Sequence, residues 1–105
     1  MSQEEIKHIN LLIHAPVRLA VLSILATVKN ADFSYLKKTI DTTDGNLSRH
    51  LGKLETAGYI KIEKTFAGKK PKTNCAITNK GRQVFTDYLA NLQKIIDTQK
   101  QKGSI

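Results

Sequence analysis

Asn46, Arg49 and Lys53 stand three and four residues apart, the spacing that puts side chains on one face of a helix. Asn can bridge N6 and N7 of adenine, Arg can bridge O6 and N7 of guanine, and Lys clamps phosphate. Thr42, Thr43 and Ser48 add hydroxyls for phosphate oxygens, and Gly45 lets the backbone approach one at a helix N-terminus. Further on, Lys64, Lys69, Lys70 and Lys72 form a second basic group. These side chains suit a polyanion with readable base edges. They do not make a catalytic set, because no nucleophile pairs with a base. Gly45, Gly52 and Gly58 fall within one helical segment and its cap, so they form no phosphate-cradling loop.

Three other residues carry two readings each. His50 flanks an apolar seam, so its imidazole either packs partly buried with a hydrogen-bond partner or reaches DNA. Arg18 supports the binding face through an ion pair or touches the ligand itself, and the first is preferred. Cys75 is a small apolar filler on a strand, or a redox sensor that would need a low-pKa, accessible thiol.

The elements that position these groups follow from periodicity. Leu47, Leu51 and Leu54 form one apolar seam, so residues 44–57 are a helix with Asn46, Arg49 and Lys53 opposite the core. Thr43 or Thr42 caps it and Gly58 ends it. Ile60 and Ile62 alternate with Lys61 and Glu63, and Thr73, Cys75 and Ile77 restore the alternation after a tip at residues 67–71. This hairpin, residues 60–77, is expected at a sheet edge, because Pro71 cannot donate to a ladder.

Upstream, Ile6, Ile9 and Ile13 predict a helix over 4–13, and Pro16 opens a second that runs to about Lys29 with Val28 at core spacing. Residues 31–33 form a short strand, and Ser34 caps a helix over 35–40. Downstream, Thr78 caps a helix over 78–98 carrying Val84, Phe85, Tyr88, Leu89, Leu92, Ile95 and Ile96, followed by a frayed polar tail. The order predicts a mainly α (α+β) winged helix-turn-helix with a two-stranded wing and flanking helices. It forms a single domain with a core over about residues 12–82.

Charge agrees with that reading. The 105 residues carry 17 Lys and Arg against 9 Asp and Glu, a formal net charge of +8, which favours nucleic acid or an anionic surface. From Lys61 to Arg82 the only acid is Glu63. One cysteine makes no intrachain disulfide, the N-terminus lacks a signal peptide's pattern, and no apolar run approaches membrane-spanning length. The expectation is a cytoplasmic protein with no membrane partner and no cofactor.

In order and spacing, six segments resemble the small stand-alone winged-helix regulators of the MarR and ArsR groups. They are residues 14–18, 33–36, 44–51, 54–60, 66–73 and 77–82. The resemblance implies a dimeric prokaryotic transcription factor that inserts helix 44–57 into the major groove. The chain lacks the Cys-x-Cys pair and the paired histidines of metal-sensing relatives, so no metal site is expected.

The apolar stripe Phe85, Tyr88, Leu89, Leu92, Ile95 and Ile96 exceeds what so small a domain can cover, and Ile6, Ile9 and Ile13 add a second surplus face. Both are read as a homodimer interface, which predicts a pseudo-palindromic site in double-stranded DNA. Two alternatives stay open: a winged helix used for protein–protein contact, and a nucleic-acid binder without sequence preference. A small-molecule effector is left open as well.

Overall fold

The computed structural model describes residues 9–103. Helix α1 (Pro16–Leu25) opens on the proline, whose fixed φ and missing N–H suit a first helical position. It stops four residues short of the expected Lys29. The Thr27 N–H turns back to the Ile24 carbonyl at 3.0 Å, and the Thr27 hydroxyl donates to the same oxygen at 2.9 Å. Val28, expected in the core, is exposed.

Strand β1 (Ala31–Asp32) leads directly into helix α2 (Phe33–Ile40). Its cap is Asp32, not Ser34: the carboxylate accepts the Tyr35 N–H at 2.7 Å, and Ser34 falls inside the first turn. Helix α3 (Asp44–Thr56) is capped by Thr43, whose hydroxyl accepts the Asn46 N–H at 3.2 Å. At its other end Gly58 adopts φ +81°, the Gly58 N–H bonds the Glu55 carbonyl at 2.9 Å, and the Tyr59 N–H bonds that of Leu54 at 3.0 Å. That pair of bonds is a Schellman motif, which a glycine accommodates without strain.

Strands β2 (Ile60–Ala67) and β3 (Lys70–Ile77) form the expected hairpin, with Ile62 opposite Cys75 and Ala67 opposite Lys70. The sheet has three strands in the order β1-β3-β2. The hairpin is therefore not an edge throughout, since β3 is central where Cys75 and Asn74 face Ala31 and Asp32. Pro71 escapes that constraint, because β1 ends before reaching it and its one neighbour is Phe66 on β2.

Of the expected helix over 4–13, residues 4–8 lie outside the described residues, and residues 9–13 are a bend and a turn. The Asn10 side chain accepts the N–H groups of Leu12 (3.0 Å) and Ile13 (3.2 Å), a local bond that competes with helix formation. Arg18 Nε then fixes the turn by donating to the Leu12 carbonyl.

Helix α4 (Asn79–Gly103) runs past the expected residue 98. Its start is locked to the end of α3. The Thr78 hydroxyl donates to the Gly58 carbonyl at 2.6 Å and accepts the Gly81 N–H at 2.9 Å. Gly81 sits so close to Tyr59 that a Cβ there would lie 2.0 Å from its carbonyl oxygen. The core gathers Ile13, Val21, Leu22, Leu25, Leu36, the α3 seam, Ile60 and Cys75, with Phe85 and Tyr88 closing it from α4. The far half of α4 leaves this body, which makes the molecule 62 Å long and 25 × 22 Å across. Its radius of gyration, 16.1 Å, exceeds the roughly 13 Å of a compact chain this size.

Candidate nucleic-acid interface

The outer face of α3 carries a chain of side-chain hydrogen bonds. Asn46 Nδ2 donates to the Thr42 hydroxyl at 2.9 Å, and Asn46 Oδ1 accepts from Arg49 Nη2 at 2.9 Å. Both ends of the Asn46 amide are thus engaged within the protein. Arg49 is exposed and spends a donor on Asn46, with the rest of its fork open to solvent. Ser48, Gly45 and Lys53 share the surface, and nothing stands within 4 Å of where a Gly45 Cβ would be. Asp44 opposes a phosphate by charge, but Lys37 Nζ pairs with it at 2.8 Å.

His50 belongs behind this face. It is 9% exposed, and Arg18 Nη1 lies 2.8 Å from its Nδ1, so the buried, hydrogen-bonded reading holds and an open DNA-facing ring does not. Arg49 Nη2 lies 3.4 Å from Nε2. Arginine can only donate, and a neutral imidazole has one accepting nitrogen. The shorter contact puts the lone pair on Nδ1 and the hydrogen on Nε2, so the contact with Arg49 is packing and not a second bond. Burial lowers the His50 pKa, and the charges of Arg49, Arg18 and Lys53 lower it further. Arg18 therefore supports α3 through its bond to His50 and the N-terminal turn through its bond to Leu12; among the described residues it has no ion pair of the kind expected of it.

The wing lysines do not form one group. Successive strand residues alternate faces. Lys64 and its partner Thr73 continue the face of Ile62 and Cys75 and border a groove with Ser48, Leu51 and Gly52 of α3. Lys70 and Lys72 lie on the opposite face, where Lys72 Nζ approaches the Asp32 carboxylate at 3.6 Å. Lys69 occupies the two-residue turn beside Gly68 (φ +67°). Among the described residues, Lys64, Lys69 and Lys70 have no ion pair, so three of the four wing lysines keep an uncompensated charge.

Phe66 was not among the expected site residues. It is 72% exposed at the wing tip, opposite Pro71 and on the face that holds Lys64. Alternation alone assigns it to the apolar face of β2. Counting strand length against the size of the core would have shown that the hairpin outruns its cover.

The expected dimer residues separate as well. Ile13, Phe85 and Tyr88 fill the protomer's own core, and Tyr88 bonds His14 Nδ1 through its hydroxyl at 2.8 Å, so these three are withdrawn from the surface. Ile9 is half-buried against that core, and Ile6 lies outside the described residues. Leu89 (47% exposed), Ile96 (46%), and the half-buried Leu92 and Ile95 remain on α4. Cys75 is 1% exposed, and burial, aided by Glu55 and Asp32, pushes its thiol up to about 11. Among the described residues no group of three His, Cys, Asp or Glu converges, and no helix is long and apolar enough to cross a membrane.

Comparison with known proteins places this geometry. A family described as "Winged helix DNA-binding domain" matches residues 17–96. An uncharacterized protein of Methanocaldococcus jannaschii is 38% identical over 79 residues, which span 75% of this chain and 86% of that one. The transcriptional regulator homologue of Pyrococcus horikoshii OT3 is 34% identical, superimposes with a TM-score of 0.86, and covers 92% of this chain and 98% of its own. A MarR-family regulator from Silicibacter pomeroyi shares the fold at 20% identity and a TM-score of 0.67, over 92% of this chain and 64% of that one. The chain belongs to the winged helix DNA-binding domain family, and it shares the fold of transcriptional regulators.

Proposed function

We propose that this chain is a sequence-specific regulator that binds a pseudo-palindromic duplex site as a homodimer, with α3 in the major groove and the wing along the backbone. The observation that carries the reading is Arg49. It stands exposed near the start of the helix, steadied by Asn46, which is itself held by Thr42. A guanidinium fixed in this way spends less entropy when it bridges guanine O6 and N7. Asn46 acts first as the support for Arg49, and it meets a base only by giving up one of its two internal bonds. Thr43 and Ser48 hydroxyls, Lys53 and the Gly45 backbone supply phosphate contacts around it.

The dimer reading rests on Leu89, Leu92, Ile95 and Ile96 along α4, of which Leu92 also packs against the chain's own core while Ile95 and Ile96 lie on the half that leaves it. A two-fold pairing there would present two α3 helices about 34 Å apart, the spacing of successive major grooves.

Selection of bound sequences from a random duplex library at near-physiological salt tests the proposal. The expected product is an inverted repeat with half-sites one helical turn apart. Arg49→Ala should weaken binding by about 1–3 kcal/mol and relax the preference at one base pair. Sequence-blind enrichment refutes specific reading, and a monomer at micromolar concentration in light scattering refutes the dimer.

A further inference from the structure

Phe66 is a large apolar side chain where the fold has no use for one. It lies four residues beyond Ile62 on the same face of β2, roughly 13 Å further along the strand, past the end of the core. The residue opposite is Pro71, also exposed, so the tip presents an aromatic ring backed by a rigid pyrrolidine. From Lys64 to Thr73 there is no acid; Lys64 lies on the ring's own face, Lys69 in the turn and Lys70 on the opposite face, none of them with an ion pair among the described residues. An apolar group at a hairpin tip that carries three uncompensated cations fits a partner that is anionic outside and apolar within. Nucleic acid meets both conditions, with phosphates at the rim and stacked bases inside.

We propose that Phe66, braced by Pro71, enters the minor groove beside the bases read by α3 and opens a flexible base step. A groove about 6 Å wide takes single side chains and not a two-stranded ribbon, so the tip would lie over it and lower the Phe66 ring alone. Aromatic and other apolar wedges enter base steps from the minor groove and kink the duplex towards the major groove. Pyrimidine–purine steps unstack most readily, so the flanks of the selected site should favour TA or CA where the wing lies. The lysines on either side neutralise the phosphates that the kink crowds together. Part of the site preference would then come from how easily the DNA deforms, at positions Arg49 never reaches. The inference rests on the duplex-binding reading above.

Phe66→Ala and Phe66→Leu separate the wedge from that reading. An exposed side chain contributes little to folding, so both variants should melt with the parent protein. Binding to the selected duplex is measured with 2-aminopurine placed in turn at each flanking step, and with end-to-end energy transfer to report bending. The parent and Phe66→Leu should raise 2-aminopurine fluorescence at one step and shorten the end-to-end distance. Phe66→Ala should lose both signals and bind roughly tenfold more weakly. Its salt dependence should not change, because no charge is removed. If Phe66→Ala binds and bends the duplex as the parent does, the wedge is wrong and the DNA-binding reading stands. If the parent binds no duplex at all, that reading fails and takes the wedge with it. A change in oligomeric state on Phe66→Ala would mean a second copy covers the ring, which also overturns the wedge.

Discussion

Replacing Arg18 with alanine should cost this protein a large part of its stability, because its guanidinium is bonded within the fold at two points. Its guanidinium donates through Nε to the Leu12 carbonyl and through Nη1 to His50 Nδ1 at 2.8 Å. The variant would leave a turn carbonyl and a buried imidazole nitrogen without their donor. Hydrogen bonds from a charged group are worth about 1.5–3 kcal/mol each. Arg18 is only half-buried, and water recovers part of that, so the lower end applies and the sum is about 3 kcal/mol. At 4–8 °C per kcal/mol for a domain of this size, the midpoint should fall by roughly 12–24 °C. Lysine keeps the charge but cannot serve both acceptors as a fork does, so Arg18→Lys should recover less than half of the loss. The assay is thermal melting followed by circular dichroism at pH 7.5, with a double-mutant cycle against His50→Gln expected to show coupling of about 1–2 kcal/mol. A variant Arg18→Ala within about 1 kcal/mol of the parent would refute the view that this fork ties the N-terminal turn to α3.

Gly81→Ala drives a methyl against the Tyr59 carbonyl, 2.0 Å away, and backbone must move; a loss of about 3 kcal/mol or more is expected in the same melting assay, and parent-like melting would disprove the close junction of α3 and α4. The His50 pKa is lowered in the folded state, so the unfolded chain binds the proton more tightly, and stability should be full above about pH 6.5 and decline as pH falls below it. His50→Gln should remove that part of the decline, and an unchanged pH profile of unfolding would show that His50 does not cause it. Lys69→Gln combined with Lys70→Gln should weaken specific and random duplexes alike and reduce the slope of log K against log salt by about 1.8 per protomer, about 3.6 for a dimer that docks both wings, and an unchanged slope would remove the wing tip from the phosphate contacts. With its thiol raised to about 11 and 1% exposure, Cys75 should resist an aromatic disulfide reagent at pH 8 until the protein is unfolded; rapid labelling of the native state would contradict its buried position.

Most of the fold was legible because it rests on periodicity. The seam Leu47, Leu51 and Leu54, the alternation through Ile60 and Ile62, and the cap at Thr43 are local signals, and the structure keeps them. The misreadings occurred where a side chain competes locally or a partner is remote. Asn10 and Thr27 bond nearby backbone and divert chains whose apolar spacing looks helical. Asp32 takes the cap that Ser34 was expected to hold, because the strand ends one residue earlier than composition suggests. Strand β1 was expected over residues 31–33, but at two residues it is too short to show alternation, so its pairing with Cys75 and Asn74 was not legible. For the candidate site, residue types gathered Asn46, Arg49 and Lys53 on one surface of α3, but the sequence could not say that Asn46 is engaged at both ends or that Lys70 and Lys72 face away from α3. Surplus apolar residues on α4 were likewise overcounted, since the depth to which Phe85 and Tyr88 sink depends on Ile13 and His14, remote in sequence.

The Asp32 carboxylate does two jobs at once, with one oxygen on the first turn of α2 and the other facing Lys72 of the wing. The sheet adds a second attachment, since the same residue pairs with Asn74. Mechanically, the wing and the helix pair α2–α3 are geared together: tilting the hairpin drags on the residue that starts α2, and α2 leads directly to the turn before α3. In the proposed binding mode, the spacing between the wing tip and α3 would be a nearly fixed gauge, narrowing the groove geometries the protein could accept. It also means that a disturbance at the β1–α2 junction, well away from any base, would be transmitted to both arms of the grip.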